Sequence, residues 1–206
     1  LFFVFEYNNP ATLGGLNTQN KLLNAYFQSV TMRTAGFNSI PVLPLNEITK
    51  VGNIILMFIG AAPGSTGGGV KVTTFGIIIA AILSQIKGSD ETILFKHKVP
   101  HNTVNKSLSI IGLSLTLVVT VTTLLLAVEA NKFSFIDTLY EITSAFATVG
   151  ITSFGTSALH TVSRIAVIIT MFLGRVGPLS FALALTIRNS KKKEDQIYPE
   201  SKIVVG

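Results

Sequence analysis

Apolar positions along the chain form stretches separated by short polar segments, and one pair of stretches is divided at its middle. Val51 to Ala62 is an apolar run of twelve residues, whereas a helix needs about 20 residues to cross a membrane. A Gly-rich segment follows, and a second apolar run extends from Val70 to Ile86. This pattern predicts one broken span. Irregular backbone at membrane depth is tolerated where it is buried or lines a wet cavity, so the break indicates the position of a pathway.

Two later apolar stretches are long enough to predict membrane spans. Ser107 to Val128 is 22 residues without a charge, or about 33 Å of helix. Ile165 to Ile187 predicts a last span that is interrupted between Gly174 and Pro178. The opening residues Leu1 to Phe5 predict the last turn of an earlier membrane helix, so we expect the chain to be part of a longer protein.

Two shorter helices are predicted from helix-start signals. Asn17 to Asn20 precedes a helix from Leu22 to about Arg33. Ser134 to Asp137 resembles a capping box, with Asp in place of Glu or Gln, and begins a helix that runs to about Ala147. At about 20 Å this second helix enters a membrane without crossing it.

The chain contains an internal repeat. Tyr26 to Gly60 aligns with Tyr140 to Gly174 at a constant offset of 114 residues. The identical pairs include Thr34 with Thr148, Gly36 with Gly150, Ser39 with Ser153, Leu45 with Leu159, Met57 with Met171, Phe58 with Phe172 and Gly60 with Gly174. Self-similarity at a fixed spacing indicates one structural unit used twice. Each unit is predicted to be a short helix, a Thr-x-Gly loop and a long apolar helix.

Composition and charge favour a membrane protein. Charged residues make up 13% of the chain and the mean hydropathy is +0.57, whereas a soluble domain is about 25% charged. The net charge of +6 is concentrated in segments 87–106 and 188–202, a pattern of membrane orientation rather than of nucleic-acid binding. Both segments are predicted to be cytoplasmic, with the Thr-x-Gly loops open to the outside. No catalytic or metal-binding constellation is present, and the chain has no cysteine.

The repeated loops have the residues that a cation pathway needs. A dehydrated cation requires a cage of oxygens, which backbone carbonyls supply without a fixed charge. Gly36 and Gly150 allow the strained backbone of such a cage, and Thr34 and Thr148 add oxygens at its base. The preceding helices direct their negative dipole ends toward the ion. The alternative is that each Thr-x-Gly is an ordinary helix C-cap.

These motifs resemble the bacterial Trk/Ktr/HKT superfamily of potassium transporters, with most similarity to the Ktr-type membrane subunit. The resemblance rests on Thr34–Asn38, Gly60–Gly69, Thr148–Thr152, Gly174–Pro178 and Tyr198–Gly206. It implies an all-α polytopic membrane protein with four helix–pore-loop–helix repeats, two of which are in this chain, and a broken mid-membrane helix. Residues 1–86 correspond to a third repeat, 87–106 to a cytoplasmic loop, 107–189 to a fourth repeat and 190–206 to a cytoplasmic tail.

The resemblance also implies a function, which is selective potassium uptake across the bacterial plasma membrane, with Na⁺ as a second ion. The implied filter residues are Thr34, Ala35, Gly36, Phe37, Thr148, Val149, Gly150 and Ile151. The implied gate is formed by Ala61, Ala62, Pro63, Gly64, Ser65, Thr66, Gly67, Gly68, Gly69 and Arg175. The implied partners are a second copy, giving a homodimer with one pore per chain, and a cytosolic ring of nucleotide-binding regulatory subunits on the Lys-rich face.

Several alternatives stay open at the level of sequence. Gly64 to Thr73 superficially matches a phosphate-binding loop, but Val70 stands where the required Lys would be; a flexible linker is a further alternative. Arg175 could be a structural residue bonded to loop carbonyls, and Glu141 is expected to have a structural partner. A sodium or cation secondary transporter with a midplane site and a scaffolding membrane protein are the rival functions. Channel-like conduction and ion symport are not distinguished.

Overall fold

The computed structural model describes residues 2–89, 91–130 and 132–177, and this part of the chain is mostly helical. The helices are α1 (Phe2–Glu6), α2 (Thr18–Thr31), α3 (Glu47–Phe58), α4 (Val72–Ile86), α5 (His101–Val128), α6 (Phe135–Phe146) and α7 (Thr161–Val176). Two short antiparallel strands, β1 (Ile93–Leu94) and β2 (His97–Lys98), form a hairpin, and a 3-10 turn spans Thr156–Ala158. The predicted helical class is confirmed.

Both short helices are present and begin directly after a capping residue, although α2 begins at Thr18, four residues before the predicted Leu22. The Asn17 side-chain oxygen accepts a hydrogen bond from the Asn20 nitrogen at 2.9 Å, which starts α2. Ser134 Oγ accepts from the Asp137 nitrogen at 3.1 Å and starts α6. Only half of the capping box forms in the described residues: Asp137 Oδ2 accepts from the Ser134 hydroxyl at 2.8 Å instead of from the Ser134 backbone nitrogen. Each helix ends two or three residues before its Thr-x-Gly loop.

The predicted break between the apolar runs is present. Helix α3 ends at Phe58 and α4 begins at Val72. The ends of the intervening segment are joined, since Ile59 and Val70 form a parallel bridge in which the Gly60 nitrogen donates to the Val70 oxygen at 2.8 Å. Residues 61–69 therefore form a closed loop between two half-helices, and we call this segment the gate loop.

Helix α5 is the one helix in the described residues that is long and apolar enough to cross a membrane. It begins at His101, six residues before the predicted start, so the polar segment 87–106 contains the β-hairpin and the first turns of α5. Hydroxyl groups along α5 bond to its own backbone; Ser114 Oγ and Thr122 Oγ1 each donate to the carbonyl four residues earlier at 2.7 Å. These polar residues therefore need no partner outside the helix.

Helix α6 lies at the centre of the molecule and packs against α3, α5 and α7. Its Tyr140, Ile142 and Phe146 side chains are completely buried. One apolar cluster joins α6 to α3, and a second joins it to α5 and α7. The loop that follows α6 is therefore attached to a rigid part of the fold.

Helix α7 ends at Val176, followed by Gly177 with a φ of +91°. The remainder of the predicted last span, from Pro178 to Ile187, and the predicted tail 190–206 lie outside the described residues.

Candidate functional site

The two Thr-x-Gly loops have the same unusual backbone, and we call residues 34–37 the first pore loop and residues 148–151 the second. Thr34 and Thr148 have φ angles of 69° and 55°, and Gly36 and Gly150 have φ angles of 78° and 89°. Positive φ is strained for a β-branched residue, and such strain is concentrated at functional sites. The repeat seen in the sequence is thus also a repeat of backbone conformation.

This backbone suits the presentation of oxygens to one side. In an ordinary strand, successive residues face alternately to opposite sides. In each pore loop, residues with a left-handed backbone stand on both sides of Ala35 or Val149, which do not have a positive φ. Successive residues of the loops therefore do not face alternately to opposite sides as they do in a strand. Helices α2 and α6 end immediately before the loops, and a helix C-terminus has a partial negative charge. Both features favour a cation.

The two pore loops are in direct contact. A Cβ atom built on Gly36 would lie 2.3 Å from the Val149 carbonyl oxygen, so only glycine fits there. Gly150 has no atom within 4 Å of such a Cβ, although its φ angle also favours glycine. The repeat-equivalent glycines therefore have different surroundings.

The first pore loop is held from behind by two polar side chains of α2. The Gln28 side chain is 2% exposed, and its amide oxygen, turned toward the loop, accepts from the Ser39 and Ile40 nitrogens at 3.2 and 3.0 Å. Thr31 Oγ1 donates to the Phe37 oxygen at 2.6 Å and accepts from the Phe37 nitrogen at 3.0 Å. Neither residue is among those predicted from the sequence. A polar position on the buried face of a short helix was the available signal.

The second pore loop is held in a similar way by Glu141. This buried carboxylate accepts from the Ser153 nitrogen at 3.0 Å and from the hydroxyls of Thr152 and Thr156 at 2.8 and 3.2 Å. Ser153 is the repeat equivalent of Ser39. Glu141 has the structural role that a buried acid is expected to have, and it does the work that Gln28 does in the first repeat.

The gate loop lies directly against both pore loops. A Cβ atom on Gly67 would be 2.8 Å from Thr34 Oγ1, and one on Gly68 would be 2.9 Å from Thr148 Oγ1. Lys71 Nζ donates to the Gly67 oxygen at 2.5 Å, so the ammonium group binds the loop rather than pointing toward a membrane surface. The structure thus brings together the predicted filter residues and the glycines of the predicted gate.

Arg175 lies in the last turn of α7, beside this junction. The carbonyl oxygen of the adjacent Gly174 would be 3.1 Å from a Cβ on Gly68. The Arg175 side chain is exposed, and no hydrogen bond of this side chain is present within residues 2–89, 91–130 and 132–177. The described residues therefore place Gly174, next to Arg175, against the gate loop without showing the carbonyl bonds of the structural alternative for Arg175.

A pair of acids, Glu6 and Glu129, makes a similar contact in each repeat, to the start of the helix that follows the pore loop. Glu6 Oε1 accepts from the Asn46 nitrogen at the start of α3 at 2.9 Å and from Thr49 Oγ1 at 2.6 Å. Glu129 Oε1 accepts from the His160 nitrogen at the start of α7 at 2.8 Å. Its other oxygen and Ser163 Oγ, at the position equivalent to Thr49, are buried without a hydrogen-bond partner in the described part of the chain.

The donors available to a bound ion are oxygens. A cavity of about 440 Å³ lies beside the second pore loop and is lined by Thr148, Gly150, Glu141, Arg164 and Met171 among others. Among the described residues, no group of three or more His, Cys, Asp or Glu side chains could hold a metal ion. Loop carbonyls and hydroxyls are therefore the candidate ligands.

Comparison with known proteins identifies the family of the chain. The family TrkH, described as cation transport protein, matches residues 1–196. The chain is 38% identical to the Ktr system potassium uptake protein B of Bacillus subtilis, over 99% of this chain and 45% of that protein. It is 33% identical to the potassium/sodium uptake protein NtpJ of Enterococcus hirae, over 100% of this chain and 46% of that protein.

A solved structure shows the same fold. The crystal structure of the potassium transporter TrkH from Vibrio parahaemolyticus matches with a TM-score of 0.73 at 19% identity, over 89% of this chain and 40% of that one. The chain spans about 45% of the length of the Bacillus relative that it matches. With a family match that reaches from residue 1 to residue 196, the chain belongs to the TrkH family of cation transport proteins.

Proposed function

We propose that the full-length protein takes up potassium across the bacterial plasma membrane, and that the two pore loops supply half of its selectivity filter. The observation that carries this proposal is the shared left-handed backbone of the two loops together with their contact at Gly36 and the Val149 oxygen. Relatives named as potassium uptake proteins are 38% identical to the chain, which supports K⁺ as the transported ion.

The chemistry of the proposed filter is the replacement of water by carbonyl oxygens. K⁺ loses its hydration shell when it enters a narrow pore, and inward-facing carbonyls restore the coordination without trapping the ion. Thr34, Ala35, Gly36 and Phe37 act in the first loop, and Thr148, Val149, Gly150 and Ile151 act in the second. Gln28 and Glu141 hold the loops in position through the backbone beyond each glycine.

The gate loop closes the pathway on the side of the filter where Thr34 and Thr148 lie. The contacts of Gly67 and Gly68 with these threonines support this role. Arg175 adds a positive charge close to the same point, where it lowers the residence of a cation. A charge inside a membrane costs at least about 2.5 kcal/mol, so its presence favours a functional role.

Sodium is the second candidate ion. Phe37 and Ile151 follow the filter glycines, where tetrameric potassium channels have Tyr, and this favours a looser cage. The name of the Enterococcus relative includes both potassium and sodium. The proposed transport is therefore compatible with uptake of both K⁺ and Na⁺. Competition between the two ions distinguishes uptake of K⁺ alone from uptake of both.

The proposed assembly is a homodimer with a cytosolic ring of nucleotide-binding regulatory subunits. The family resemblance supports this assembly. The exposed Lys96 and Lys98 in the β-hairpin lie in the segment that the charge pattern assigns to the cytoplasmic face. Nucleotide acts through the ring and not on this chain.

The proposal is tested by rubidium uptake in cells that lack their own potassium uptake, comparing the full-length protein with its Gly150→Ser variant. Within the described residues Gly150 has open space for a side chain, so no clash is expected from them and the substitution acts on the backbone at φ +89°. We expect uptake to fall by about tenfold or more, or to shift toward sodium, because carbonyl positions set ion coordination. Gly112→Ala in α5, also with open space, is the control at matched expression. Unchanged uptake and selectivity in Gly150→Ser would contradict the filter assignment.

A further inference from the structure

The gate loop meets the filter at two threonines, one from each repeat. Gly67 lies against Thr34 and Gly68 lies against Thr148. A Cβ atom added to either glycine would be within 3.0 Å of the threonine side chain. The loop is therefore seated on equivalent residues of the two repeats, which have the same left-handed backbone.

Only one of the two contacts is a hydrogen bond. The Gly68 nitrogen donates to Thr148 Oγ1 at 2.8 Å. Thr34 Oγ1 has no equivalent bond among the described residues, although Gly67 is just as close to it. The Gly67 nitrogen bonds instead to Ser65 Oγ within the loop at 3.0 Å. The equivalence of the two threonines in sequence thus conceals a difference in what their hydroxyls bind.

The position of Gly68 makes this bond sensitive to movement of the loop. A Cβ on Gly68 would lie 3.1 Å from the Gly174 carbonyl of α7, so the residue is confined between the second pore loop and the last turn of α7. If the loop moves away, the Gly68 N–H loses its acceptor, and an unpaired backbone group inside a protein is unfavourable. The hydroxyl of Thr148 therefore favours the seated position of the loop.

We propose that Thr148 is a positioning residue of the gate, whose hydroxyl holds the gate loop against the base of the filter through the Gly68 N–H. This inference rests on the proposed function. It adds the contact that holds the gate loop against the filter. Thr34, in the same backbone and without that bond, serves the filter alone. The two threonines of the repeat have then separated into different roles.

The test measures the seating of the loop without transport. Val70 directly follows the gate loop and its side chain is 1% exposed, so a cysteine at this position is protected while the loop is seated. Val70→Cys is introduced into the full-length protein with other cysteines replaced, and its rate of maleimide labelling is measured in detergent. Thr148→Val keeps the branched shape and removes the acceptor. We expect it to label about fivefold faster, which corresponds to the roughly 1 kcal/mol of one net hydrogen bond.

Thr34→Val is the matched control, and Thr148→Ser restores the hydroxyl. Both are expected to label within about twofold of the parent, a change smaller than one hydrogen bond. Thr148→Ala is a second variant without an acceptor, for use if valine prevents folding. Equal labelling rates in Thr148→Val and Thr34→Val would overturn the inference. Because labelling needs no ion flux, this result is separate from the rubidium test of Gly150, and the two proposals can fail independently.

A second readout is the maximal rate of rubidium uptake. Thr148→Val is expected to increase it by about fivefold or less, in line with the labelling rate. Thr34→Val is expected to leave the maximal rate unchanged or lower, because Thr34 does not hold the gate loop by a hydrogen bond in the described residues. Equal changes of the maximal rate in the two variants would overturn the distinct role of Thr148.

Discussion

At the scale of single residues, Gly36 and Gly150 show how one motif acquires two environments. Both have a positive φ angle, and both end a Thr-x-Gly sequence. The Val149 oxygen lies where a side chain on Gly36 would be, whereas the corresponding direction from Gly150 is open within the described residues. Gly36 is therefore needed for packing between repeats as well as for its own conformation.

We predict that Gly36→Ala destabilises the full-length protein more than Gly150→Ala. Each substitution bears the cost of a left-handed residue, about 1–3 kcal/mol, but only Gly36→Ala adds a clash with backbone. Gly76→Ala in α4, where a Cβ has open space, controls for glycine replacement and is expected to be neutral. The measurement is the temperature at which the detergent-solubilised protein loses its monodisperse elution peak. Equal temperatures for the Gly36 and Gly150 variants would argue against the inter-loop contact.

The glycines and threonines of the pore loops could be identified from the sequence, because both copies of the repeat contain them at equivalent positions. It does not predict that Gly36 contacts Val149, since that contact joins residues more than 100 positions apart. Gln28 and Thr31 were missed for a related reason. Their partners are backbone groups, which have no residue type by which a pattern could identify them.

At the scale of elements, the buried ion pair between Lys50 of α3 and Asp137 of α6 joins the two repeats. The Lys50 Nζ and Asp137 Oδ1 atoms are 2.6 Å apart, and the side chains are 7% and 13% exposed. Asp137 Oδ1 also accepts from Ser153 Oγ at 2.8 Å. Lys50 of the first repeat is thus connected, through the Asp137 carboxylate, to Ser153 just after the second pore loop.

We predict that Lys50→Met lowers the stability of the full-length protein by about 1.5–3 kcal/mol, because it removes a charge-assisted hydrogen bond and leaves a mostly buried carboxylate without its countercharge. The double variant Lys50→Met/Asp137→Asn is expected to recover part of that loss, since no unpaired charge is left. Both effects are measured as shifts in thermal unfolding in detergent.

The exposed pair between Lys98 and Glu91 is the matched control, with side chains that are 57% and 51% exposed. Lys98→Met is expected to cost at most about 1 kcal/mol, as is usual for surface ion pairs. A Lys50→Met effect no larger than this would mean that the buried pair does not stabilise the junction of the repeats.

The helices themselves were predictable from local pattern, because caps and apolar runs act within a few residues. The break between α3 and α4 was predictable for the same reason. The six-residue extension of α5 to His101 was not, because the polar residues 101–106 are compatible with either loop or helix. How α6 is enclosed by α3, α5 and α7 depends on tertiary packing that no local pattern contains.

At the scale of the whole molecule, the β-hairpin and the pore loops are expected on opposite sides of the membrane. The Lys-rich segment around the hairpin favours the cytoplasmic side. The 3-10 turn at Thr156–Ala158, which follows the second pore loop, is then on the outside. The absence of cysteine from this chain makes the arrangement easy to test.

We predict that a membrane-impermeant maleimide labels Ser157→Cys in intact cells, and labels Lys96→Cys only after the membrane is permeabilised. Both positions are exposed, so a difference in labelling reports the side of the membrane rather than burial. The protein without introduced cysteines is the background control. The reverse labelling pattern would invert the proposed orientation and place the pore loops on the cytoplasmic side.

The acids Glu6 and Glu129 have a consequence for the ancestry of the two repeats. They are 123 residues apart rather than 114, so the connection between each acid and its pore helix has gained or lost nine residues since the duplication. The peptide N–H groups of Asn46 and His160 both donate to these acids, whereas Thr49 Oγ1 donates to Glu6 and Ser163 Oγ has no hydrogen-bond partner in the described residues. The link that the two repeats share is therefore made by backbone, which does not constrain the residue type, and Asn46 and His160 can differ without loss of the contact.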